Sequence, residues 1–433
     1  MNTRVKSNTR RLDMAISKQQ QARGAITRGR YQEAVHTVQE ALGFFPDGAV
    51  SEDENRARFS LILEQAWARR YQGDNATALA DFQNARQNAP DSFQRTDALV
   101  GIGECYAKLG DYEAAEVAYT QALDEANEAK DTLRGIRGLK GLGSLYWLQG
   151  HIEESIQTLT KAREALQRTR DLFELGNVML SLGNAYNFSG LYQQSIDAYK
   201  EAMDCFRTLG YDHGIMLALS NLGEIHQELY DIETALTYHQ EALQICQTVD
   251  VVTREADRLR NIGVDLTLLG RYSEAMGYLE SALANARATG DQDIALQALY
   301  SLGDAFLRQG NVNKALAYAT ELEAEAKAMR GEFHLTRAKL LKGRAYLAQG
   351  DRKQAQATLQ DALSNAHALP SRTLLWGLHA ALGRASEDPQ VARVHLQIAA
   401  DFIHQTAEPL TDLKMRTNFL SRPEVLAVLR SAS

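Results

Sequence analysis

Leu142-Gly143-Ser144-Leu145-Tyr146-Trp147-Leu148-Gln149-Gly150 returns forty residues later as Leu182-Gly183-Asn184-Ala185-Tyr186-Asn187-Phe188-Ser189-Gly190. The same frame recurs as Leu302-Gly303-Asp304-Ala305-Phe306-Leu307-Arg308-Gln309-Gly310. Its first glycine occupies positions 103, 143, 183, 223, 263, 303, 343 and 383, forty apart each time. At the usual glycine frequency, seven further hits on a fixed lattice have a chance probability on the order of 10⁻⁸. An internal repeat of this period is the mark of a solenoid array and takes precedence over any local reading.

Around the lattice each unit reads as helix, tight turn, helix. Leu or Ile precedes most of the glycines and an aromatic often follows, as at Tyr106, Tyr146, Tyr186, Phe306 and Tyr346. The second glycine of the frame, at 110, 150, 190, 270, 310 and 350, with Tyr230 interrupting the series, has the place of a helix stop. Asp111 and Asp351 then supply a carboxylate to the free N–H groups that open the next helix, and Asp91, Asp131, Asp171 and Asp291 do the same for first helices. In the second helix a small residue falls five positions after the turn, from Ala34 and Ala78 through Ser155 and Ser195 to Ala355. Another small residue, as at Ala122 or Ala282, lies two helical turns further on and therefore on the same face. Glycine inside a helix costs about 1 kcal/mol relative to alanine. Glycine set opposite alanine would recover that cost by letting two backbones approach. The pattern extends upstream to turns at Gly29 and Gly73, with one longer break at Pro46 and Gly48 followed by the capping-box pair Ser51 and Glu54. No proline occurs between Pro90 and Pro370. About nine helix pairs are expected.

These small, aromatic and small positions resemble the tetratricopeptide repeat, over roughly residues 15 to 385. The 40-residue unit and segments such as Asn221-Leu222-Gly223 are similar to its long-helix subclass, that of kinesin light chains, Leu-Gly-Asn scaffolds and bacterial signalling proteins. The resemblance implies an all-α fold, a right-handed α-α superhelix with a C-terminal capping helix, and a concave groove lined by first helices. It divides the chain into a basic, flexible tail at 1–12, a repeat array at 13–389 and a helical cap at 390–433. The last segment is also similar to tails that close repeat arrays in bacterial regulators, with the cap as the preferred reading. Carried over residue by residue, the family's groove positions fall on Asn184, Asn187, Asn221, Glu224, Gln227, Arg260, Asn261, Tyr300, Asp304 and Arg308. A carboxamide both donates and accepts, so a row of asparagines suits an extended peptide backbone; it also simply solvates a concave face. The expectation is that Asn221 and Asn261 grip a partner segment while Arg260 pairs with an acidic side chain. The family's carboxylate clamp is excluded, because Leu180 and Asp257 stand where it needs lysines. Trp147 with Leu148, and Trp67 with Tyr71, read either as an apolar groove anchor or as packing between units.

Composition sets limits on this reading. The 433 residues are 45% hydrophobic and 24% charged, too many for one compact core. A formal charge of -8 opposes a general nucleic-acid binder, although the first thirty residues carry eight Lys/Arg against Asp13 alone. The absence of a long apolar stretch points to a cytoplasmic protein without a membrane partner; an Arg-rich start also fits a mitochondrial transit peptide. Cys105, Cys205 and Cys246 have no metal-binding spacing, and the ten histidines form neither HExxH nor a nucleophile pair. His226 and His239 replace aromatics of the repeat and are expected in the core. No cofactor, metal or catalysis is expected. The reading is a scaffold or adaptor for a protein or peptide partner, with a ligand-responsive sensor as the alternative.

Overall fold

A computed structural model describes residues 2–27, 30–45, 51–89, 91–248, 252–366 and 372–432, and all regular structure within them is helical. Among the described residues twenty-two helices follow one another, from α1 (Asn2–Thr27) to α22 (Pro423–Ala432). The chain divides into two compact units, one of Met1–Ser189, Asp197–Ala218 and Thr248–Val251, the other of Gly190–Ile196, Leu219–Gln247 and Val252–Ser433. Each is built of helix hairpins. Odd-numbered members carry the lattice glycines, as in α9 (Leu172–Phe188), α11 (Asp212–Glu228), α13 (Val252–Leu268), α15 (Gln292–Arg308) and α17 (Glu332–Gln349). The turn expected at Gly29, the break at Pro46 and Gly48, and Pro90 and Pro370 lie outside the described residues. The stretch set apart as a tail, 1–12, falls within α1 from Asn2 onward.

Turn chemistry fixes where each helix stops and starts. The frame's second glycines have left-handed backbone, from φ 75° at Gly270 to 86° at Gly310, and Tyr230 adopts the same conformation at 62°. Asp91, Asp111, Asp131, Asp171, Asp291 and Asp351 each accept from the backbone N–H three residues on, at 2.9 to 3.2 Å. Ser51 and Glu54 close a capping box. A second left-handed series ends the other helix of the hairpin, at Lys130, Arg170, Gly210, Gly290 and Arg330. It obeys the same period but is hidden in the sequence, because only two of the five are glycine.

The lattice glycines sit under large side chains. A Cβ added at Gly103, Gly143, Gly183, Gly223, Gly263 or Gly343 would come closer than 3.0 Å to Tyr119, Leu159, Tyr199, His239, Leu279 or Leu359 respectively. Every one of these partners lies sixteen residues downstream, on the facing helix of the same hairpin. The expected glycine-against-alanine contact is therefore corrected: the ring or branched chain fills the space over the glycine, and the small residues close the rest of the crossing. Ala115, Ser155, Ala275 and Ala355 are fully buried there, and the Ser155 hydroxyl donates to the Gly143 carbonyl at 2.7 Å. His239 occupies the ring position, wholly buried, and the three cysteines are buried free thiols.

At the C-terminus Gly383 of α19 (Arg372–Ala385) meets Leu396 of α20 (Pro389–Ala407) in the same way. Helix α20, expected as a cap, is thus the second helix of a tenth hairpin. Asp388 caps it, and Pro389 stands where no N–H is needed. The remaining α21 (Leu413–Ser421) and α22 follow it.

Two substitutions separate close approach from helix propensity. Gly183→Ala drives a methyl into the Tyr199 ring and should lower stability by about 1–3 kcal/mol. Gly277→Ala meets nothing within 4 Å in α14 (Tyr272–Thr289) and should raise it by about 1 kcal/mol. Thermal unfolding followed by circular dichroism reads both, and equal shifts for the two would contradict this explanation of the lattice.

Candidate functional site

First helices of neighbouring hairpins are tied by polar pairs about one repeat apart. In the first unit Arg134 and Arg137 donate to Asp97 at 2.8 and 2.9 Å, and Arg137 reaches Glu174 at 2.6 Å. Glu104 is shared by Arg70 at 2.8 Å and Lys140 at 3.4 Å, and these cations hold its carboxyl below the usual range against the opposing push of burial. A face that would otherwise expose isolated charges is stitched into a ladder.

The predicted groove residues lie on this face, and the ladder uses many of them. In the first unit Asn184 accepts from the Tyr199 hydroxyl at 2.6 Å, while the Oδ1 of Asn187 is buried without a hydrogen bond. In the second, Gln227 donates to Asp265 at 2.7 Å, and the buried His239 Nδ1 lies 2.6 Å from the other oxygen of that carboxylate. Asn261 is 1% exposed; its Nδ2 stands 3.4 Å from the exposed Glu224, and its Oδ1 has no partner. Arg260 is engaged by Asp257 of its own helix at 2.9 Å. Burial alone would raise the Asp257 carboxyl, but Arg258 and Arg260 outweigh it and bring it down to about 2. Tyr300 lies under the Arg337 guanidinium, 3.8 Å from ring centroid to Cζ. Asp304 accepts from Arg344 at 2.6 Å and from Arg308 at 2.7 Å, which hold it well below the carboxylate range despite burial. Asn221 lies on α11 and is half-buried.

Two apolar candidates separate. Trp67 stacks on Tyr71 and meets Phe82 edge-on at 4.9 Å inside the core, so that pair is packing between hairpins. Trp147 meets Phe188 edge-on at 6.3 Å, with Leu148 and Phe188 exposed and the Trp147 Nε1 unpaired. A cleft of about 900 Å³ elsewhere in the first unit is lined by Gln83, Arg86, Tyr106 and Gln121, whose polar atoms bond to one another. Among the described residues no group of three or more metal-capable side chains comes together, and no helix is long and apolar enough to cross a membrane.

The sequence does not announce what reaches the groove residues of the second unit. Arg308 donates to Glu424 of α22 at 2.6 Å, a contact between residues 116 apart. Thr373 of α19 donates to Glu228 of α11 at 2.9 Å, and Lys414 of α21 stands 3.9 Å from Asp231. The C-terminal segment thus lies against the first-helix face rather than only prolonging the array. Burial works against the Glu424 carboxylate, but Arg308 and Arg422 keep its pKa below the ordinary value of 4.5. Since the folded value lies below the unfolded one, this docking energy is complete above about pH 4.5 and is lost as pH falls through the lowered value. Glu424→Gln should remove about 1 kcal/mol of docking. Amide hydrogen exchange across residues 413–432 at pH 7 should then speed up about fivefold, and an unchanged rate would show that Arg308 does not hold the segment.

Comparison with known proteins bears on the fold. The tetratricopeptide repeat family matches residues 61–92, the overlapping stretches 94–168, 131–208, 174–248, 214–288 and 253–327, and residues 336–366. No curated protein sequence matches the chain. Among solved structures it is similar to a Rap protein complexed with competence and sporulation factor, with TM-score 0.56 and 17% identity, covering 86% of this chain and 98% of that one. It is similar to the apo quorum sensor NprR from B. thuringiensis, at TM-score 0.57 and 13% identity, over 81% and 97% of the two chains. A signal transduction ATPase with a tetratricopeptide repeat sensor, from Pyrococcus horikoshii, gives TM-score 0.55 and 15% identity over 79% and 53%. At such identities the likeness speaks for the fold alone. The repeat glycines, the capped hairpins and matches spanning more than half of the sequence agree, and the chain belongs to the tetratricopeptide repeat family.

Proposed function

We propose that this protein is a non-catalytic, cytoplasmic interaction module that holds an extended segment of a partner protein or peptide against the first-helix face of its second unit. One observation carries the reading. Many polar groups on that face are satisfied by pairs within a helix or one repeat apart, yet the carboxamide of Asn261 is nearly inaccessible and leaves its oxygen without a partner. A buried acceptor without a donor costs free energy, and an extended backbone offers the N–H that this one lacks once the Asn261 side chain turns toward the open face. The face belongs to an acidic chain, which favours protein over nucleic acid as the occupant. Similarity to a Rap protein in complex with a factor and to a quorum sensor supports the same class of role.

A second reading, a sensor rather than a static scaffold, is favoured by the docking of Glu424 on Arg308. A segment of the chain resting on the groove competes with any ligand for that face, and a ligand that displaced it would shift the balance between docked and undocked forms.

Panning a random peptide library on the full chain tests the proposal. Enriched peptides should bind the Asn221→Ala/Asn261→Ala variant at least about fivefold more weakly, each lost hydrogen bond being worth about 1 kcal/mol. Glu280→Ala, on an exposed second-helix position, should leave affinity unchanged. No enrichment, or equal binding to the asparagine variant with its helical signal intact, would reject the reading.

A further inference from the structure

We propose that Arg337 is an anion subsite of this groove, taking the carboxylate of an aspartate or glutamate in the bound segment. The inference rests on the binding role proposed above and gives its chemistry.

The first-helix face of the second unit, with the C-terminal segment against it, gathers six guanidiniums: Arg258, Arg260, Arg308, Arg337, Arg344 and Arg422. Five of them have a carboxylate at hand. Arg258 and Arg260 share Asp257, Arg308 and Arg344 share Asp304 at 2.7 and 2.6 Å, and Arg422 stands 3.4 Å from Glu424. Arg337 has none within ion-pair distance among the described residues. Asp304, the carboxylate that attracts it, is taken by Arg308 and Arg344. In a chain with 55 acidic residues against 47 basic ones, a half-buried arginine left without a carboxylate is a departure from how the protein treats its neighbours.

Ring contacts alone do not compensate for the missing charge. The guanidinium lies 3.8 Å from the Tyr300 ring centroid and 5.6 Å from that of Phe333. Such contacts orient a planar cation, and the Tyr300 side chain adds a hydrogen bond, but Arg260 repels the charge and the attracting Asp304 is already committed to Arg308 and Arg344. Burial lowers the Arg337 pKa, yet a guanidinium stays protonated, so the fold carries a half-buried cation with no carboxylate in direct contact. A planar fork held flat by a ring is arranged to receive a carboxylate with two parallel hydrogen bonds. Another arginine of this face shows the chemistry at work: Arg308 already binds a carboxylate delivered from a distant stretch of chain, Glu424.

Peptides enriched on the wild-type full chain are synthesised with each Asp or Glu intact and with it replaced by Asn or Gln, and their affinities are measured by fluorescence anisotropy. Intact peptides should contain a shared acidic position. Neutralising it, or making Arg337→Gln, should each weaken binding at least about tenfold, the two losses should not add, and Arg337→Lys should recover part of the affinity. Arg163→Gln, on the second-helix surface of the first unit, should have no effect. Equal affinity of intact and neutralised peptides for the wild-type chain overturns the proposal even if Arg337→Gln fails to fold. Peptides weakened by the asparagine variant but indifferent to Arg337 and to their own charge would overturn this subsite alone; no enrichment would overturn both readings.

Discussion

Close approach between the two helices of each hairpin is the constraint on which the rest depends. At six of the eight lattice glycines a side chain sixteen residues on, whether tyrosine, leucine or histidine, occupies the space a Cβ would need; Leu341 and Leu396 do so over Gly303 and Gly383. The glycine costs helix propensity and gains a dense crossing, and its repetition at one fixed interval makes the hairpins superimpose. Because the hairpins repeat, polar residues on neighbouring first helices come into register and pair at about one repeat of separation, as Arg137 does with Asp97 and Glu174.

The groove chemistry follows from that register. A ladder of charge pairs removes most of the cost of a polar, half-buried face, so the positions that remain unsatisfied stand out. Asn261 lacks a donor for its oxygen and Arg337 lacks a carboxylate, while every neighbour of Arg337 in the arginine group has one. Glu424 then matters beyond stability, since it places the chain's own acidic group where an acidic ligand would compete for Arg308.

Backbone architecture was legible in the sequence because its causes are local. Left-handed turns want glycine and free helix N–H groups want aspartate, and both recur at a fixed period. What escaped was whatever the chain solved with an unexpected residue. Lys130, Arg170 and Arg330 hold left-handed turns that the eye assigns to glycine, and His239 does a ring's work above Gly223. The tenth hairpin is hard to see because α19 ends two residues after Gly383, no second glycine follows, and the partner of Gly383 comes early, at Leu396. At the candidate site the sequence named the face but not its pairing. Spacing shows which residues share a face, whereas the commitment of Gln227 to Asp265, the burial of Asn261 and the return of Glu424 to Arg308 arise only when distant segments meet. Arg337 carries no signal in the sequence for the same reason, since only the folded arrangement shows that no carboxylate reaches it.

The central claim is that the first-helix face of the second unit holds the partner. Hydrogen–deuterium exchange of the full chain, with and without the tightest peptide from selection, tests it most directly. The account predicts added protection concentrated in α13, α15, α17 and the C-terminal half of α11. Protection confined to second helices such as α14, or to the first unit, would contradict it.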